Sequence, residues 1–154
     1  MKKIIAILLA LALMLSTAAC GAKAEKNVSV DLNAMYDSFG PHLPSMYFPD
    51  DETLLNFLGI NVEDCVQYKV ALCGEGMRAD EIWLLEAKDD AALEKLQKRA
   101  QTRIEAKLGE TITYVPDQYV IVEKAELIVV GRYVALIVSP DVDTLKATFE
   151  AAFQ

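Results

Sequence analysis

Apolar residues recur along this chain at two periods, one of three to four residues, typical of helices, and one of two residues, typical of strands. The helical period predicts a helix over residues 30–39 and a shorter one over residues 52–58, which Asp50 and Asp51 can cap. Each segment is followed by a glycine that can end it. The folded part of the chain is therefore expected to begin with two helices.

Strand patterns follow these helices. Alternating residues 66–72 predict a half-buried strand, and the apolar run over residues 82–85 predicts a central strand with two buried faces. A long helix is predicted over residues 90–108, where an apolar stripe recurs at helical spacing and Gly109 can end it. One hairpin would therefore precede the long helix.

A second hairpin is the clearest local signal. Two apolar runs, residues 127–130 and 133–138, flank a two-residue turn that begins with glycine, which favours type II′. Ser139 can cap a last helix with Pro140 at its first position. The order α-α-β-β-α-β-β-α predicts an α+β fold, a four-stranded, mainly antiparallel sheet with helices packed on it.

The N-terminal pattern is that of a secretory signal peptide, predicted here over residues 1–19. Lys2 and Lys3 precede an apolar run over residues 4–15, and small residues follow it. This run is shorter than the about 20 apolar residues that a membrane-spanning helix needs. The pattern therefore predicts export rather than a membrane span.

The four residues that end at Cys20 resemble the lipobox of bacterial lipoproteins, in which the cysteine is acylated and becomes the N-terminus. Leucine is usual three residues before that cysteine, and this chain has Thr17 there. The alternative is ordinary signal cleavage after Ala19 or Ala22, which would release a secreted protein. If Cys20 is lipidated, two or more acyl chains would hold the protein firmly at the membrane.

Lipidation would place the protein on the outer face of the cytoplasmic membrane, with residues 20–28 as a tether and residues 29–154 as a single domain. The chain has 15 basic and 23 acidic side chains, and loss of Lys2 and Lys3 with the signal leaves 13 basic ones and a net charge of −10. Nucleic acids and anionic lipid headgroups select basic patches. We therefore expect no nucleic-acid partner, and membrane contact through the lipid alone.

Three cysteines and one histidine limit metal and redox chemistry. Cys65 and Cys73 flank the first predicted strand, and about 26 Å would separate them along an extended segment. A disulfide requires Cα atoms within about 7 Å, so we expect both thiols to be unpaired. His42 lies between prolines in a turn-like segment without a second ligand motif, so no metal site and no cofactor is predicted.

No constellation of residues points to catalysis. Nucleophilic chemistry needs a nucleophile beside an oriented base, and the chain has neither a Gly-x-Ser-x-Gly elbow nor a second histidine. Acidic groups at residues 50–52, 89–90 and 141–143 precede predicted helices, where capping and the helix dipole account for them. We therefore expect a protein without enzymatic activity.

One segment could present a binding surface. Residues 114–119 are predicted to form a loop between the long helix and the second hairpin, with Pro116 between Tyr114 and Tyr119. Arg103, on the preceding helix, could reach this loop. In the alternative interpretation the tyrosines pack in the scaffold, and Arg103 covers the helix surface or binds a carboxylate.

Short motifs in the second half of the chain carry a resemblance to a known family. They are Arg103, Tyr114-Val115-Pro116, Ala125, Gly131-Arg132-Tyr133-Val134 and Ser139-Pro140-Asp141, preceded by Leu43-Pro44 and Glu81-Ile82. With these motifs, residues 30–153 resemble the bacterial lipoprotein family that carries domain of unknown function 4358. The resemblance implies a signal-bearing, usually lipidated small domain in the cell envelope, and it implies no activity.

Three classes of function remain. A non-catalytic, lipid-anchored module that binds an envelope protein or polymer is the first expectation. A solute-binding lipoprotein is the alternative, and a small envelope enzyme is the third. An exposed apolar patch would favour the first class, whereas a deep pocket holding two titratable groups with shifted pKa values would favour the enzyme.

Overall fold

The central strands have apolar side chains on both faces, and the computed structural model, which describes residues 28–154, places helices on both sides of the sheet. The helices are α1 (Leu32–Phe39), α2 (Asp51–Thr53), α3 (Asp90–Tyr114), α4 (Pro116–Val122) and α5 (Val142–Ala151). The strands are β1 (Met46–Tyr47), β2 (Cys65–Cys73), β3 (Glu81–Ala87), β4 (Glu126–Val130) and β5 (Tyr133–Val138). A π-helical turn, Leu54–Leu58, continues α2, and 3₁₀ turns lie at Gly40–His42 and Val62–Asp64.

The five strands form one antiparallel sheet in the order β1-β2-β3-β5-β4. The predicted α+β class and antiparallel pairing are confirmed, but the predicted number of four strands is wrong. The fifth strand is β1, which pairs Met46 with Cys73 and Tyr47 with Leu72 at one edge. Two residues between Pro44 and Pro49 are too few to show a strand period, which is why the pattern did not predict it.

The two faces of the sheet have separate cores, which we name the α3 face and the α5 face. The α3 face is covered by the π-helical turn, α3 and α4, and its buried sheet residues are Val70, Leu72, Trp83, Leu85, Ala87, Val134, Leu136 and Val138. The α5 face is covered by α1 and α5, and its buried sheet residues are Ala71, Ile82, Leu84, Ile128, Tyr133, Ala135 and Ile137. Because β3 and β5 are buried on both faces, they lie at the centre of the fold.

The long helix α3 runs further than predicted. Gly109 does not end it, because Lys107 and Thr111 are buried on either side of that glycine and continue the packed face. The helix ends at Tyr114, since the residue before Pro116 is driven out of the helical region, and Val115 has φ −145° and ψ 67°. The predicted loop over residues 114–119 is also wrong, because Pro116 starts the short helix α4.

The second hairpin forms with the predicted two-residue turn, because Val130 pairs with Tyr133. Gly131 has φ +55° and Arg132 has no positive φ, which agrees with type II′ and excludes type I′. The last helix, α5, begins at Val142 rather than at Pro140. Ser139 does not cap it, because the Ser139 hydroxyl accepts the Asp141 backbone N–H at 3.1 Å and forms a turn before the helix.

Candidate functional site

One carboxylate is fully buried against α3. Glu81 begins β3, has no exposed surface, and points to the same face as Trp83 two residues later. The indole Nε1–H of Trp83 donates to Oε1 of Glu81 at 2.7 Å. A buried carboxylate needs such partners, because removing its charge from water is costly.

Two cations from α3 complete the site. Arg103 and Lys107 are four residues apart, so both point from α3 toward Glu81. Nε of Arg103 lies 2.9 Å from Oε1, and its Nη2 lies 2.8 Å from Oε2. Nζ of Lys107 donates to Oε2 at 2.8 Å. We name these residues, with Trp83, the Glu81 cluster.

The ion pairs hold the cluster in its charged form. Burial by itself would raise the pKa of Glu81, but the hydrogen bonds from Arg103 and the charges of Lys107 and Arg103 outweigh it, so the pKa lies below its ordinary value. For Arg103, burial opposes the charge and Glu81 favours it, with a raised pKa as the result. The lowered pKa of Glu81 and the raised pKa of Arg103 both lie further from neutral pH than the ordinary values. A general acid or base, in contrast, needs a pKa near the working pH.

One exposed aromatic side chain lies beside Arg103, and a second lies in the same row of the sheet as Glu81. The guanidinium carbon lies 5.5 Å from the ring centre of Phe57, and Phe57 is 62% exposed. Tyr47 pairs with Leu72, and Leu72 pairs with Glu81, so all three side chains point to the α3 face from one row across the sheet. Tyr47 is half exposed at the end of this row.

A cleft of about 320 Å³ opens beside the cluster, between the C-terminal half of α3 and the loop that precedes β3. We name it the α3 cleft, and its lining includes Met77, Ala79, Lys107, Glu110, Thr111, Tyr114 and Val115. Arg78 also lines it but is engaged by buried Asp80, with Nε 3.0 Å from Oδ2. The Ala79 N–H donates to Oε1 of Gln118 at 2.9 Å, which fixes the loop to α4.

The structure places the four residues of the predicted surface differently. Arg103 turns inward and binds the carboxylate of Glu81, the outcome that the alternative interpretation allowed. Tyr114 is 76% exposed at the rim of the α3 cleft. Pro116 and Tyr119 lie on α4 outside the cleft lining, and Tyr119 is half-buried. Of the four residues of the predicted surface, only Tyr114 therefore lines the cleft.

No role was predicted for Glu81 or Lys107 from the sequence. Glu81 was named only within the motif Glu81-Ile82, and Lys107 was not singled out. A signal was present, because Arg103 and Lys107 are spaced by one helical turn on the buried side of a helix. Nothing in the sequence, however, shows that this turn packs on the first residue of β3.

The acidic groups at two helix starts do act as caps. Asp50 accepts the Thr53 N–H at 2.9 Å, and Asp89 accepts the Ala92 N–H at 2.8 Å. Asp141 is the N-cap residue of α5, but its side chain makes no capping hydrogen bond. Within residues 28–154, no three His, Cys, Asp or Glu side chains come together in a group that could hold a metal ion.

Cys65 and Cys73 lie at the two ends of β2, as predicted, and both are free thiols. Burial, together with the charge of Asp64, raises the pKa of Cys65 to about 11. A thiol with such a pKa is a poor nucleophile at neutral pH. Cys20, the predicted lipidation site, lies outside the described residues.

Comparison with known families places the cluster and cleft in a recognised domain. The model of the family described as domain of unknown function (DUF4358) matches residues 43–139. The chain belongs to this family. The matched segment runs from just before β1 to the end of β5 and contains the whole Glu81 cluster. Neither the search of curated proteins nor the search of solved structures found a match.

No helix within residues 28–154 is long and apolar enough to cross a bilayer. The longest, α3, has charged residues along its exposed side.

Proposed function

We propose that this member of the DUF4358 family is an extracytoplasmic lipoprotein, held on the outer face of the cytoplasmic membrane through Cys20, whose domain is a non-catalytic module that binds an envelope protein. The signal pattern over residues 1–19 and the cysteine that follows it support the membrane location. Residues 20–28 would act as the tether, and residues 29–154 as the binding domain.

The observation that carries the binding role is the exposed apolar rim of the α3 cleft. Met77 is 65% exposed and Tyr114 is 76% exposed, and they face the same opening from the loop and from α3. Large apolar side chains beside a concave surface are typical of interaction sites, and tyrosine is enriched in them. The pKa directions of Glu81 and Arg103 support a non-catalytic role, because both groups stay charged across the neutral range.

A solute-binding lipoprotein is the second candidate, and the volume of the α3 cleft favours it. Ligand sites commonly enclose about 300–1,000 Å³, and a cleft of about 320 Å³ is at the lower end of that range. Such a volume would suit a small ligand or the end of a larger one.

In-cell crosslinking followed by affinity capture and mass spectrometry tests the first candidate. Cys20→Ser should move the protein out of the membrane fraction and remove the crosslinked partner. Met77→Ser combined with Tyr114→Ser should keep the protein in the membrane but reduce the partner about tenfold or more.

Val66→Ser is the matched control, because Val66 is an exposed apolar residue at the opposite end of β2 from the cleft. It should leave the crosslink unchanged. An equal loss in the control and in the double variant would overturn the assignment of the rim. Retention of the Cys20→Ser protein in the membrane would overturn the lipid attachment.

A further inference from the structure

The Glu81 cluster contains more positive than negative charge. The single carboxylate of Glu81 forms ion pairs with both Arg103 and Lys107. The side chains of all three residues are at least 88% buried. Buried charges are normally paired, because each unpaired charge loses its hydration. The cluster therefore has one unit of positive charge without a buried counterpart.

Neighbouring acids do not cancel this charge inside the protein. Asp80 is buried but forms a two-bond pair with Arg78, so its charge is already balanced. Glu110 lies close enough to influence Arg103 and also lines the α3 cleft, but it is an exposed residue of α3. Solvent and salt screen an exposed carboxylate far more than a buried one. Glu110 therefore offsets the buried excess of positive charge only in part, and the remainder acts where the cluster meets the cleft.

Lys107 makes the connection between the cluster and the cleft. Its ammonium has three N–H donors, and within residues 28–154 it has one hydrogen-bonded acceptor, Oε2 of Glu81. The same side chain lines the α3 cleft, so its small exposed part faces that opening. Lys107 therefore has hydrogen-bonding capacity left for a ligand in the cleft.

The other cleft walls are apolar over much of their area. Met77, Ala79 and Val115 present aliphatic groups, and Tyr114 presents an aromatic ring at the rim. The polar part of the lining comes from Arg78, Glu110 and Thr111. A cation at the base of an apolar cleft is complementary to an anionic group that carries an apolar substituent. A carboxylate can accept several hydrogen bonds from an ammonium while its substituent contacts the walls.

We infer that the α3 cleft binds a free carboxylate that is attached to an apolar group, with Lys107 as its hydrogen-bond donor. This deepens the proposed binding function and rests on it. The carboxylate can belong to a small solute or to the C-terminus of a polypeptide, and both present the same chemistry to Lys107.

Equilibrium dialysis of the full chain with radiolabelled N-acetyl-leucine tests the inference directly. N-acetyl-leucine has a free carboxylate and an apolar side chain, and N-acetyl-leucinamide is its uncharged match. The acid should bind saturably and the amide about tenfold or more weakly. Equal binding of the two, or no binding of the acid, would overturn the inference.

Two variants locate the site. Lys107→Met should weaken binding of the acid about tenfold or more, whereas Lys98→Met, on the exposed side of α3, should leave it unchanged. Met77→Glu provides an independent test, because Met77 is exposed and its replacement should not disturb folding. The added negative charge at the rim should oppose the carboxylate. Unchanged affinity in both Lys107→Met and Met77→Glu would overturn the site.

Trp83 supplies a second measurement on the same samples. It is the chain's single tryptophan and donates to the carboxylate that also holds Lys107. Binding at Lys107 should therefore change the indole fluorescence with the same concentration dependence as dialysis. Binding that leaves the fluorescence unchanged would contradict a site next to the cluster.

A third arm distinguishes the two sources of carboxylate. The tripeptide acetyl-Ala-Ala-Leu with a free C-terminus should bind more tightly than N-acetyl-leucine if the ligand is a polypeptide end, and less tightly if it is a small solute. Failure of every acid to bind would overturn this inference alone, because the crosslinking experiment tests the interaction surface without these probes.

Discussion

The α5 face of the sheet is closed by apolar side chains from α1 and α5, whereas the α3 face contains a charged cluster and opens at a cleft. On the α5 face, Phe149 and Leu145 are fully buried, and the Tyr133 hydroxyl accepts the Val30 N–H at 3.1 Å. On the α3 face, Glu81 is buried with two cations from α3. The α5 face therefore mainly stabilises the domain, whereas the α3 face is the one that we propose to combine stability with binding.

The largest expected effect is on the α5 face. Phe149→Ala should lower the free energy of unfolding by about 4 kcal/mol, because it removes a fully buried ring from a well-packed core. Urea unfolding measures this loss. Below the unfolding transition, N-acetyl-leucine binding should be unchanged, and a loss of binding in the folded variant would show that the two faces are coupled.

The next largest effect is in the Glu81 cluster. Glu81→Gln should cost about 3 kcal/mol of unfolding free energy, because it leaves Arg103 and Lys107 buried without a carboxylate. The control is Glu126→Gln at the partly exposed ion pair with Lys146, where about 0.5 kcal/mol is expected. Equal losses of unfolding free energy in Glu81→Gln and Glu126→Gln would mean that the buried ion pairs of the Glu81 cluster stabilise the protein no more than a partly exposed one.

Acid should weaken the α3 face through the same carboxylate. The pKa of folded Glu81 lies below the ordinary value of 4.5, so between these two values the unfolded chain binds the proton that the folded protein does not. The free energy of unfolding should therefore fall as the pH drops below about 4.5.

Asp64, with its pKa lowered by Lys88 and Lys95 against the effect of burial, contributes in the same direction. Comparing the unmodified protein with Glu81→Gln isolates the part of the pH dependence that is due to the Glu81 cluster. Urea unfolding at several pH values should show a flatter pH dependence in that variant, and an unchanged dependence would assign the acid effect elsewhere.

A smaller effect is expected at the start of α3. Asp89→Ala should cost about 1 kcal/mol, because Asp89 accepts the Ala92 N–H and no other side chain takes its place at that cap among the described residues. Asp90→Ala, one residue later in the first turn, should cost about 0.5 kcal/mol through the helix dipole alone. The difference in thermal midpoint between the two variants measures the cap.

The smallest effect concerns the thiols of β2. Both Cys65 and Cys73 should be alkylated without prior reduction, since neither is in a disulfide. Cys65 should react slowly at neutral pH, because its pKa of about 11 leaves little thiolate. Mass spectrometry after iodoacetamide labelling checks both points, and protection of both residues until a reductant is added would contradict the free thiols.

Local patterns predicted most elements of the fold. The hairpin of β4 and β5, the central strand β3 and the body of α3 follow from hydrophobic period and turn residues. Elements that depend on neighbours were missed. The strand β1 is too short to show a period, and α3 continues past Gly109 because its last turns pack on the loop before β3.

The candidate site was less predictable than the fold. Tyr114 was predicted to lie on an exposed surface, because it is an aromatic residue close to a proline, and the structure places it at the rim of the cleft. Glu81 and Lys107 are 26 positions apart, and their contact depends on how α3 lies across the sheet. The sequence has no local pattern for such a contact, which also explains why it left open whether Arg103 reaches the predicted loop or binds a carboxylate.

The strand order has a consequence for how the domain folds. β2 pairs with β3 and β4 pairs with β5, so two hairpins can form from neighbouring residues, whereas β3 and β5 meet only after the chain between Ala87 and Tyr133 has closed into a large loop. Closing that loop costs chain entropy before the central contacts compensate for it. Joining the two hairpins should therefore be the slow step, and because α3 lies within the closing loop, its docking should occur in the same event.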